Sequence, residues 1–138
     1  MTGQEPLAEP PAIHRWPDLD WARNYENQIV AAGWRVVHLD TALRWDKVGF
    51  LAACRRAFGL PDWFGMNWDA LADSLSDVRI PVDAGVLVPW TGWGPMARMF
   101  PADFEVATDV LGEWVRRSEG RGHTAVVSLV GSGPAGVS

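Results

Sequence analysis

Apolar positions recur along the chain with two different periods, and the changes of period mark the elements. From Asp18 the run DLDWARNYENQIVAAG sets Leu19, Trp21, Ala22, Tyr25, Ile29 and Val30 at helical spacing behind an acid-rich start. This predicts a helix over residues 18–31, with Gly33 as its C-terminal cap. WRVVHLD, residues 34–40, is rich in β-branched and aromatic side chains between a glycine and a polar Asp-Thr pair, which predicts a short buried strand. DKVGFLAACRRAFGL then returns to helical spacing. Its Arg55 and Arg56 stand near the end, where the helix macrodipole favours cations, and Gly59 closes it.

Beyond LPDWFG, Trp68, Leu71, Ala72 and Leu75 fall at i, i+3, i+4 and i+7, the buried stripe of a helix running from Trp68 to about Val78. GVLVPW, residues 85–90, is a continuous apolar run too short for a typical helix, which suits a strand covered on both faces. Residues 103–119 begin with acids and end with Arg116 and Arg117, a helical charge order, and TAVVSLV, residues 124–130, reads as the last strand.

Helical stretches separate all three strands, so crossover connections and a small parallel sheet packed with helices are expected, an α/β fold. Residues 1–32 form an N-terminal extension to this core. Its first 17 residues carry four prolines and few large apolar groups until Ile13 and Trp16, as in a flexible or extended arm, and the helix at 18–31 follows. Residues 131–138, GSGPAGVS, read as a frayed tail.

Charge and composition then narrow the function. The 138 residues carry a formal net charge of -5, which disfavours a nucleic-acid binder and favours a basic partner. The N-terminus has neither the basic start nor the apolar run of a signal peptide or membrane anchor, so a soluble, cytoplasmic protein is expected. The single cysteine, Cys54, lies in an apolar helical run and reads as a packed thiol. His14, His38 and His123 do not cluster with it or with acids at metal-ligand spacing, and neither a metal nor a cofactor is expected. Ser74, His38 and Asp73 can be assembled into a hydrolytic triad on paper, but Ser74 lacks a G-x-S-x-G elbow, so an enzyme is not expected. Trp90 and Trp93, in VPWTGWGP, are read as closing the end of the sheet rather than lining a stacking pocket.

The remaining question is the acidic stripe. Asp69, Asp73 and Asp77 are spaced four apart on the helix that Asn67 is placed to cap, and no Lys or Arg lies within that stretch. Like charges four apart cost about 0.2–0.5 kcal/mol per pair, and only the first can recover this from the helix dipole. A solvated acidic face would look the same, so the stripe alone decides nothing.

The whole string is more specific. LPDWFGMNWDALADSL resembles the central motif of the barstar family, the intracellular inhibitors of barnase-type ribonucleases, through Leu60, Pro61, Asp62, Trp63, Phe64, Gly65, Asn67, Asp69, Ala70, Leu71 and Asp73. The resemblance implies a barstar-like domain over residues 33–130 with a three-stranded parallel sheet. It also implies a partner, a basic extracellular or toxin-type ribonuclease, held by a monomer without nucleic acid or membrane.

By the same resemblance Asp73 would stand in for an RNA phosphate, Asp69 would make a second charged contact and Trp63 would pack on the enzyme. Asp77 extends the acidic row. A third family acid falls best on Glu113, although an ungapped count lands on Val115. Gly65 and Asn67 are read as structural, shaping the turn and capping the helix. Ala72 and Val78 depart from family aromatics, which alters the contact surface. The alternative is an interaction, regulatory or immunity module of the same fold that binds a partner other than a ribonuclease, through the extension at residues 1–32.

Overall fold

The computed structural model describes residues 13–61 and 63–131. Five strands and five helices lie along them. In chain order they are β1 (Ile13–Trp16), α1 (Leu19–Ala31), β2 (Arg35–Val36), β3 (Leu39–Asp40), α2 (Lys47–Phe58), α3 (Trp68–Leu75), β4 (Val86–Thr91), α4 (Gly94–Met99), α5 (Pro101–Gly120) and β5 (Ala125–Val130). All pairings are parallel, in the order β1-β5-β4-β2, with β3 also paired to β4.

The expected parallel α/β architecture is present, but the sheet has five strands where three were expected. One reason is Pro89. Arg35 N donates to Gly85 O, Val37 N to Leu87 O and Thr41 N to Thr91 O, at 3.0, 2.8 and 3.2 Å. In that register the nitrogen of position 89 faces the carbonyl of Val37, and proline has no N–H to donate. The stretch read as one strand over residues 34–40 therefore pairs at both ends and not in its middle, as β2 and β3.

The other reason is β1. AVVSLV in β5 is buried at nearly every position, which an edge strand facing water would not tolerate. β1 covers that edge in the register Ile13↔Val127 to Trp16↔Val130, and Gly131 N donates to Trp16 O at 2.9 Å. Its His14 and Arg15 are exposed, as suits an outer strand. Residues 13–16 fall inside the arm expected over residues 1–17 and stand in the sheet instead. Residues 1–12, Asp62 and residues 132–138 of the expected tail lie outside the described residues.

Alternation along the strands sorts two cores. Val86, Val88 and Trp90 of β4, with Ala125, Val127 and Leu129 of β5, face the larger core, which α2, α3, α4 and α5 fill through Phe50, Leu51, Leu71, Leu75, Met96, Leu111 and Trp114. Leu87 and Val130 point the other way, where Ala22 and Ile29 of α1 pack with Trp16, Trp34 and Val126. The apolar run of β4 is thus covered on both faces, as its sequence predicts.

α1 begins at Asp18, whose Oδ1 accepts from Trp21 N at 2.8 Å. It ends in a Schellman turn: Gly33 N donates to Val30 O at 3.0 Å and Trp34 N to Ile29 O at 3.1 Å, with Gly33 at φ +93°. Trp90 and Trp93 are buried in the main core, as expected. Their indole N–H groups donate to Thr41 Oγ1 (2.9 Å) and Val130 O (3.1 Å). Trp93 leads directly into α4, whose six residues are too few for a hydrophobic period to be recognised in sequence.

Candidate functional site

The segment that presents α3 is built locally. Phe64 N donates to Pro61 O at 2.9 Å, closing a turn in which the two adjacent aromatics take opposite fates. Phe64 is 5% exposed and joins the core, while Trp63 is 84% exposed. Asn67 then caps α3 as its position predicts, accepting from Ala70 N at 2.8 Å. Gly65 does not have a positive φ. Its requirement is space: a Cβ there would meet Asn67 Nδ2 at 3.2 Å and the Ala70 Cβ at 3.4 Å, crowding the cap.

Within α3 the apolar stripe behaves as its spacing requires. Leu71 and Leu75 are fully buried, each contributing about 1.5–3 kcal/mol by burial, and Trp68 and Ala72 are half-buried. Trp68 lies against Phe50, with ring centroids 5.8 Å apart, and under Lys47 Nζ at 5.6 Å. The opposite side of the helix carries Asp69 and Asp73, both exposed. Among the described residues neither carboxylate has an ion-pair or hydrogen-bond partner, and the four ion pairs there are His38–Glu26, Arg44–Asp46, Arg116–Glu113 and Arg117–Glu113. One helical turn apart, the two acids stand at about 5–6 Å between Cβ atoms.

Asp77 does not continue this row. α3 ends at Leu75, short of the expected Val78, and the chain tightens into i to i+3 bonds: Ser76 N to Asp73 O, Asp77 N to Ser74 O and Val78 N to Leu75 O, at 3.2, 3.1 and 3.1 Å. The tighter winding carries Asp77 round the axis, away from Asp69 and Asp73. It lines a hollow of about 390 Å³ together with Trp63, Ser74, Arg35 and Arg79. Arg35 Nη1 donates to Arg79 O at 2.9 Å across that hollow. Sequence reasoning missed both arginines, which lie 44 residues apart and share no local pattern.

Glu113 stands on α5, which packs against α3. It differs from the α3 acids in being partnered, with Arg116 Nη1 at 3.8 Å and Arg117 Nε at 4.0 Å. Val115, the ungapped alternative, is half-buried against the core. His38 Nε2 lies 2.9 Å from Glu26 Oε1 on α1, not beside Ser74 or Asp73. Cys54 is buried, and burial pushes its thiol pKa well up. No group of three or more metal-ligating side chains occurs among the described residues, and none of their helices is long and apolar enough to cross a membrane.

Fold and site together define a small parallel α/β domain that offers an unpaired acidic face on a short capped helix. The chain belongs to the barstar (barnase inhibitor) family, whose profile matches residues 34–130. That match begins after Gly33, so β1 and α1 lie outside it. Comparison with curated proteins finds no match.

Proposed function

We propose that this chain is an intracellular inhibitor of a barnase-type ribonuclease and that it acts by seating the exposed face of α3 in the enzyme's cationic, phosphate-binding cleft. The observation that carries this reading is the pair Asp69 and Asp73, exposed on one helix face and without an ion-pair partner among the described residues. A carboxylate that is already paired must give up its partner before it can bind another. An unpaired one gives up only water, and gains charge-assisted hydrogen bonds to arginine or histidinium.

Asp73 is assigned the role of an RNA phosphate and Asp69 that of a second charged contact, with Trp63 packing on the enzyme beside them. Asp77 meets the partner from the hollow that it shares with Trp63, and Glu113 does so from α5. Asn67 and Gly65 act indirectly, by holding the helix start. The chain binds and does not catalyse, works as a cytoplasmic monomer, and needs no cofactor, nucleic acid or membrane. A net charge of -5 supports fast, salt-sensitive capture of a basic enzyme.

The test is to titrate the full chain against a small basic barnase-type ribonuclease and follow RNA cleavage. One-to-one inhibition that weakens with added salt is expected, together with its loss in Asp73→Ala. Undiminished cleavage, or equal inhibition by the wild type and Asp73→Ala, overturns the proposal. A second reading, a module for a partner other than a ribonuclease, is favoured by one observation: the half-exposed rings of Trp21 and Tyr25, stacked 5.6 Å apart on α1, lie outside the family match. It predicts that Trp21→Ala, and not Asp73→Ala, abolishes partner capture.

A further inference from the structure

Between the C-terminal ends of α3 and α5 lies a cavity of about 220 Å³. Leu75 and Trp114, both buried, contribute its apolar wall, and Arg79, Arg117, Arg121 and His123 its basic one. No carboxylate lines it among the described residues. In a chain of net charge -5, three of its twelve Lys and Arg side chains meet at this one concavity. We propose that the cavity binds a small phosphate-type oxyanion.

A plainer role for these arginines is to complement the two helix ends, and magnitudes decide against that being sufficient. Each helix C-terminus carries about half a negative charge, so α3 and α5 together supply about one against three guanidinium groups. Arg121 Nη1 does reach Ser76 O, at a long 3.4 Å, which occupies one of its five N–H groups. Glu113 approaches Arg117 Nε only at 4.0 Å, with 57% of its side chain exposed, and exposed pairs of this kind contribute little. Arg79 has no ion pair among the described residues, and its own carbonyl is tied to Arg35 Nη1 at 2.9 Å, which fixes the segment that carries it.

The surplus is about two positive charges, held on two chain segments that face one cavity, Arg79 after α3 and Arg117 with Arg121 at the end of α5. A dianion with acceptor oxygens on all sides matches that arrangement better than a planar monocarboxylate, and guanidinium forks bind such oxygens in pairs. The volume sets the scale: it is below the roughly 300–1,000 Å³ of sites for drug-sized ligands, so a small ion fits. None of the lining residues is Asp69, Asp73 or Trp63, so phosphate binding here does not depend on the principal acids of the proposed ribonuclease contact, although Arg79 also borders the hollow of Asp77 and Arg117 stands beside Glu113.

The experiment titrates the full chain with inorganic phosphate in chloride buffer of matched ionic strength, followed by NMR at the Trp114 indole and the His123 amide. Saturable shifts at both are expected. Arg117→Gln and Arg79→Gln should each weaken binding about tenfold or more, the equivalent of one charged hydrogen bond. Arg98→Gln, on α4 and outside the cavity, should titrate like the wild type. Shifts that rise without saturating, that miss Trp114 and His123, or that are the same in Arg117→Gln and Arg79→Gln as in the wild type overturn the proposal.

Discussion

Asn67 Oδ1 accepts the backbone N–H of Ala70 at 2.8 Å, one turn before Asp73, so a single cap fixes the start of the helix that carries both acids. An eight-residue helix has little stability of its own and depends on its cap and its buried stripe. Asn67→Ala should lower stability by about 1 kcal/mol, and Asn67→Asp should retain most of it, because either side chain accepts from the first turn. Denaturant unfolding of the three proteins checks this; an unchanged midpoint for Asn67→Ala would mean that α3 is held by packing alone.

Asp73→Ala should cost about 2–5 kcal/mol in ribonuclease affinity, the range for truncating one partner of a buried charged pair, for which barnase and barstar are themselves among the measured cases. Its effect on folding should be opposite in sign and small. Removing one of two like charges four residues apart relieves a few tenths of a kcal/mol. Calorimetry with the enzyme and thermal melting of the free chain separate the two effects. Glu113→Ala should cost less affinity, because Arg116 and Arg117, 3.8 and 4.0 Å away, already offset part of that carboxylate's charge.

The neighbours Trp63 and Phe64 offer a sharper contrast. Phe64→Ala empties a core position and should destabilise by about 3–5 kcal/mol. Trp63→Ala removes a side chain that is 84% exposed and should leave stability within about 0.5 kcal/mol while weakening the ribonuclease complex. Equal destabilisation by the two changes would mean that Trp63 packs on its own domain.

Cys54 gives the fold an alkaline limit. Burial raises its thiol pKa in the native state, so the unfolded chain loses that proton first. The contribution is fully present below the unfolded value of about 8.5 and declines above it, by about 1.4 kcal/mol per pH unit. Denaturation of wild type and Cys54→Ala at a series of alkaline pH values should show this slope in the wild type alone. Parallel curves would mean that the thiol titrates alike in both states.

Phosphate binding at the Arg79, Arg117 and Arg121 cavity should also appear as thermal stabilisation of the free chain that Arg117→Gln loses, because a ligand of the native state raises its melting temperature by mass action. Sulfate matches phosphate in charge and shape and should act similarly, with chloride at equal ionic strength inert. A shift that follows ionic strength and not the anion would speak against the site.

The sequence by itself determined whatever depends on neighbours within one turn. Asn67 caps α3, Gly33 ends α1, Leu71 and Leu75 face inward, and Asp69 and Asp73 share the outer side, because caps and helical faces follow from spacings of three and four. The run GVLVPW was legible as a buried strand because a short unbroken apolar run suits burial on both faces. Asp77 marks the limit of that reasoning: where α winding gives way to a tighter turn, counting by fours no longer predicts the face.

Only the tertiary structure decided how many strands the sheet has and which arginines meet. Pro89 divides residues 34–40 into β2 and β3 only because Val37 lies opposite it, and Ile13 becomes a strand only because Val127 leaves an edge to cover. Arg35 meets Arg79, and Arg79 joins Arg117 and Arg121, through packing of elements that are distant in the chain. Hydrogen-bond register and the convergence of charges are properties of chain segments brought together, and no local period encodes them.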